Sequence, residues 1–103
     1  MKSVDPRLPE GVFTFFDVST MHVTENDCEL IKSCGFPLVV NEYDYGYFVH
    51  CGIDEVNDEK NLRDIGMSKG FINVWKKGLE YGCWFIRLDA DGLSYQEFKR
   101  FNW

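Results

Sequence analysis

Apolar residues come in short clusters whose spacing changes along the chain, and each change predicts an element. Residues 12–18, from Val12 to Val18, are aromatic and β-branched with apolar side chains on both faces, which predicts a strand. Thr24 can cap a helix, with Asp27 three residues on to close a capping box. Glu25, Asp27 and Glu29 crowd its start, where the helix dipole favours negative charge. Gly35 reads as its stop, and Pro37 prevents continuation. Leu38 to Tyr43 predicts a second strand and Tyr47 to Cys51 a third. They are joined by the loop Asp44, Tyr45, Gly46, with Gly46 left-handed. That register sets Tyr43 opposite Tyr47. Val39, Val49 and Cys51 share their face, and Leu38, Val40, Phe48 and His50 take the other.

The polar stretch 53–67 predicts a short helical turn, capped by Asn57, that runs through Leu62 and Ile65 to Gly66. Ser68 can cap a longer helix over 69–81, with Phe71, Ile72, Trp75 and Leu79 in one stripe. Gly70 and Gly78 each weaken that helix by about 1 kcal/mol relative to alanine, so close approach to the sheet is expected there. Residues 83–89 predict the last strand. Ser94 and Glu97 suggest a capping box for a short terminal helix with Phe98 and Phe101 inward, an edge strand being the alternative. Pro6, Pro9 and Gly11 make residues 1–11 an extended lead-in.

The order is β-α-β-β-α-β, the split βαβ pattern of ferredoxin-like folds. The expected fold is α+β: one domain over 1–103, with two helices packed on one face of a mainly antiparallel four-stranded sheet.

Charge changes the picture more than composition does. The net charge is −6, but residues 17–59 hold ten acids against Lys32 alone, whereas residues 60–103 are net basic. An acidic chain is a poor direct binder of nucleic acid, because phosphate contacts need Lys and Arg. It suits a basic partner. No apolar run is long enough to span a membrane and no signal peptide is visible, so a cytoplasmic protein is expected. Cys28, Cys34, Cys51 and Cys83 lack paired spacing, which predicts free buried thiols and no metal site.

Candidate chemistry is sparse. Asp89 to Phe98 looks like the end of a calcium loop, but Gly92 is one place late and Ile86 would occupy the first ligand position. No phosphate loop or dinucleotide fingerprint is present, and no cofactor is expected. Asp17, Ser19 and His22 lie where a strand meets a helix, and a catalytic reading would make His22 the base. The competing reading has these side chains capping the helix and satisfying the turn. The tip of the hairpin is the more distinctive stretch. Glu42, Tyr43, Asp44, Tyr45 and Tyr47 combine carboxylates with tyrosines, a residue enriched at interface anchors. Asp54, Glu55, Asp58 and Glu59 extend the acidic character.

Three pieces together, Val18 to Thr24, Tyr43 to Val49, and Gly82 to Gly92 with the terminal Phe101, Asn102 and Trp103, resemble a family of small uncharacterised bacterial proteins. It is a domain of unknown function found in bacterial and mobile-element sequences, sometimes among antirestriction-type genes. The terminal Asn102 stands where that family pattern would have aspartate. The resemblance carries no catalytic residues. It implies a small accessory protein that blocks a host defence enzyme. The leading expectation is therefore a non-enzymatic inhibitor of a nucleic-acid-directed defence system, acting through an acidic, tyrosine-rich surface on a basic protein partner. The alternatives are a small enzyme centred on His22 and a nucleic-acid-binding module.

Overall fold

The computed structural model describes residues 11–103. The reading of residues 1–11 as a lead-in therefore lies outside the described residues, apart from Gly11. The elements are β1 (Phe15–Ser19), α1 (Glu25–Lys32), β2 (Val40–Tyr43), β3 (Gly46–His50), α2 (Glu55–Asp64), α3 (Lys69–Glu80) and β4 (Phe85–Asp89). A 3-10 turn, Thr20–His22, links β1 to α1.

The α+β class stands, with three helices and a four-stranded mixed sheet in the order β1-β4-β3-β2. β4 pairs antiparallel with β3 and parallel with β1. This departs from the ferredoxin-like expectation in two ways. The polar stretch expected to make one turn forms the full helix α2, capped by Asp54 rather than Asn57; the Asp54 side chain accepts from the Asn57 amide at 3.2 Å. The last strand then lies inside the sheet and β1 at its edge. A single crossover helix returns the chain for a parallel strand. β3 and β4 are joined through two helices, and they run antiparallel. Burial favours this order: Ile86 and Leu88 of β4 are fully buried, while Phe15 of β1 is 45% exposed.

One face of the sheet makes the core. Phe16, Val18, Val49, Ile86 and Leu88 meet Cys28 and Ile31 of α1, Leu62 of α2, and Phe71, Ile72, Val74 and Trp75 of α3. The Trp75 indole donates to the Cys51 carbonyl at 3.0 Å. Gly78 faces Ile86 and Gly70 faces the Phe101 ring, so the two glycines of α3 mark close approaches to the sheet and to the C-terminal segment. The opposite face carries rings in edge contact: Phe15 with Phe48, Phe48 with Phe85, and His50 with Phe85.

The hairpin is slipped by one residue from the expected register. Tyr43 pairs with Gly46 and Glu42 with Tyr47, leaving Asp44 and Tyr45 as the loop. Gly46 is therefore a strand residue, and it is not left-handed. A Cβ there would lie 1.8 Å from the Leu88 carbonyl oxygen, so glycine is required by close approach of β4. The slip turns Tyr43 onto the face of Phe48, with ring centroids 5.5 Å apart, and brings Val40 and Glu42 onto the face of Tyr47 and Val49.

The terminal helix expected from Ser94 does not form. Residues 93–103 run as an irregular strap over the β1–α1 junction. The Ser19 amide donates to the Leu93 carbonyl at 2.8 Å, the Phe101 amide to the Met21 carbonyl at 2.7 Å, and the Trp103 indole to the Val23 carbonyl at 2.9 Å. Phe98 is buried, as expected. Three of the four cysteines are buried; Cys34 is exposed. No helix among the described residues is long and apolar enough to cross a membrane.

Candidate interaction surface

The β1–α1 junction is built by caps. Ser19 accepts from the Met21 amide at 3.2 Å. Thr24 and Asp27 form the expected capping box, each accepting from the other's amide at 2.9 Å. The Asp27 carboxylate also takes the Ser68 amide and hydroxyl at 2.8 and 2.5 Å, so one buried acid ties the start of α1 to the start of α3.

His22 is fully buried here. Its Nδ1 lies 2.9 Å from the Lys99 carbonyl oxygen, and its Nε2 accepts from the Tyr95 amide at 3.0 Å. The carbonyl can only accept, so the tautomer carries its proton on Nδ1. Both nitrogens thus hold the strap and neither faces a substrate space. Asp17 pairs with Arg87 at 2.9 Å, and its carbonyl accepts from the Tyr95 hydroxyl at 2.8 Å. Asp17, Ser19 and His22 each have separate structural partners, so this geometry lends the catalytic arrangement no support.

The hairpin tip is different. It forms one wall of a cleft of ≈ 390 Å³ whose other walls are α1 and the strap. Glu42, Tyr43, Asp44, Tyr45 and Tyr47 all line it, together with Glu25, Cys28, Glu29 and Lys32 of α1 and Trp103 of the strap. Four acidic residues thus line the cleft with one cation, Lys32. Tyr45 is 66% exposed and Trp103 56% exposed, leaving two large rings at its rim. Lys32 pairs with Glu29 at 3.7 Å. Tyr47, then Glu29 and Glu42, hold its ammonium above its ordinary pKa. Burial raises the Tyr47 phenol, with Cys28, Glu42 and Glu29 adding to the shift against Lys32. Burial and a hydrogen bond to Asp89 push the Tyr43 phenol up to about 12, so this ring is a fixed neutral donor.

The other predicted acids lie elsewhere. Asp54 caps α2, Asp58 accepts from the Asp54 amide at 3.1 Å, and Glu55 is exposed in the first turn. Glu59 is paired with Arg63 at 2.8 Å and Lys76 at 3.0 Å. None of these four lines the cleft. Sequence reasoning counted Glu25 and Glu29 among the ten acids of residues 17–59 and as dipole partners, without assigning them to the interaction site. Their spacing with Cys28 and Lys32 (i, i+3, i+4, i+7) puts all four on one helix face, and that was the signal available. Trp103 could not be placed, because nothing local fixes the path of the strap.

No curated protein matches this chain, and no solved structure does. A family model spans residues 15–103, which takes in β1, the hairpin, all three helices, β4 and the strap. The chain belongs to the family of unknown function (DUF5983), as its C-terminal domain.

Proposed function

We propose that this domain is a non-enzymatic interaction module whose acidic, tyrosine-lined cleft receives a basic segment of a protein partner. The observation that carries the reading is the convergence of Glu25, Glu29, Glu42 and Asp44 on one cleft rimmed by Tyr45 and Trp103. Carboxylates would meet Lys or Arg, and the exposed rings would cover their apolar stems. Lys32 is the resident cation that such a segment would displace from its carboxylates. The partner class that best complements this surface is a nucleic-acid-directed enzyme, since such enzymes present basic channels. Occupying that channel would inhibit the enzyme, and a bacterial anti-defence role in the cytoplasm follows from the same reading.

Affinity capture on the immobilised domain, followed by titration of the retained protein, tests this. Binding should weaken with added salt and fall by about tenfold or more in the double variant Glu42→Lys, Asp44→Lys. Retention of no basic protein, or affinity unchanged by the double variant at low salt, would sink the proposal. A mobility-shift series with nucleic acid alone addresses the nucleic-acid-binding alternative, whose mark is steep loss of binding with salt.

A further inference from the structure

β2 is an edge strand, and its backbone pairing alternates. The His50 amide donates to the Val39 carbonyl at 2.8 Å. In the observed register this makes Val39, Asn41 and Tyr43 the residues whose backbone groups face β3. The amides and carbonyls of Val40 and Glu42 therefore point away from the sheet. Outside the sheet's own ladder, no backbone hydrogen bond to either is present among the described residues. Native edges are blunted by short length, charge, proline or a bulge; β2 is short and carries Glu42, but it contains no proline and no lysine. Directly beneath this edge runs a second groove, of ≈ 340 Å³, floored by Ile31, Phe36, Leu38 and Val40, with Glu42 and Lys32 at its side.

From these features we propose that the outer edge of β2 accepts an extended segment of a basic partner as an added strand, paired to Val40 and Glu42. The inference rests on the interaction reading above and supplies its binding mode. Side chains of an added strand alternate between faces. Those on the Val40 side enter the groove, where an apolar residue meets Ile31 and Leu38 and a Lys or Arg meets Glu42. Charge selects this occupant over a second copy of the chain. Two β2 edges paired antiparallel would bring their Glu42 carboxylates toward each other, and like charges across a pair are unfavourable. A basic strand brings the opposite charge and continues into the cleft that Glu42 and Tyr47 share with the groove.

The probe is a fluorescein-labelled heptapeptide, Val-Thr-Lys-Thr-Val-Thr-Lys, which sets valine and lysine in turn along one face of the strand. Two further versions carry N-methyl groups on one or the other set of alternate amides, with unchanged sequence and charge. Binding is read by anisotropy on the full chain, and edge protection by hydrogen exchange at the Val40 and Glu42 amides. One methylated version should bind about tenfold or more weakly while the other binds as the parent does, and the two amides should slow on binding. Val40→Pro, which removes an outward amide, should weaken the parent peptide to the same degree in a chain whose circular dichroism is unchanged. Equal binding of all three peptides overturns the edge mode while leaving the acidic surface intact. Binding by none of them, with the captured partner still sensitive to Glu42→Lys, also overturns the edge mode alone. Protection of Val40 and Glu42 that rises with protein concentration without peptide would make the occupant a second copy and overturn the assignment to a basic partner.

Discussion

Asp27 is a carboxylate with no exposed surface whose oxygens receive the amides of Thr24 and Ser68 and the Ser68 hydroxyl. Hydrogen bonds to the charged form are what make such burial tolerable. Removing the acceptor leaves two amides and a hydroxyl unpaired in the interior. Asp27→Ala should therefore destabilise the fold by about 3 kcal/mol, and Asp27→Asn by less, because one oxygen remains. Urea unfolding midpoints measure this, and a wild-type midpoint for Asp27→Ala would refute the role assigned to it. Half of this arrangement was legible: Thr24 and Asp27 stand at capping-box spacing. The other half was not, because Ser68 lies far along the chain and its own capping role gave no hint of a shared acid. Gly46 shows the converse. The sequence marks a special backbone position there, and the cause proved to be contact with the Leu88 carbonyl rather than a left-handed turn.

The strap over 93–103 is an element without regular structure, and its order comes from tertiary hydrogen bonds. His22 supplies two of them, through Tyr95 and Lys99. His22→Leu keeps the volume near constant but leaves the Tyr95 amide and Lys99 carbonyl without partners, at a cost of about 2 kcal/mol. Exchange of the Tyr95 amide should accelerate more than exchange of the β4 amides, which stay paired. Equal acceleration throughout would mean His22 supports the whole core rather than the strap. The capping-box signal at Ser94 and Glu97 failed for the same reason: the Tyr95 amide is taken by His22 and its hydroxyl by the Asp17 carbonyl, and both contacts hold the chain extended. Local propensity lost to partners that only the fold brings near. The hairpin register was misread on different grounds. Both of its faces are half apolar, so periodicity could not choose between two pairings one residue apart. α1 and α3 were legible almost to their ends, because each combines a cap with a stop signal.

Across the whole molecule, the shifted groups define how stability should depend on pH. Asp89 is held below the ordinary carboxylate value by the Tyr43 hydroxyl and then the Asp91 amide, and Glu59 by Lys76 and then Arg63. A lowered folded-state pKa gives stability that is present above the ordinary value and is lost as pH falls through the folded one. At the other end, burial raises the Cys28 thiol to about 11, and burial with the Asp89 hydrogen bond raises the Tyr43 phenol to about 12. Their contributions are complete below the ordinary thiol and phenol values and are lost as pH rises through the folded ones. Thermal midpoints should form a plateau between roughly pH 5 and 8 and fall on both sides. Midpoints still rising below pH 4 would contradict these assignments.

The parallel pairing of β1 with β4 has a consequence in time. Among the described residues the first strand of the sheet pairs with no strand but the last, so β1 lacks that partner until residue 89 has left the ribosome, while the β2–β3 hairpin closes early. Contacts this distant in sequence slow folding, because a long loop must be closed before they form. During synthesis the nascent chain therefore carries Phe15 and Phe16 on an unpaired strand, and that interval is where the protein is most open to aggregation.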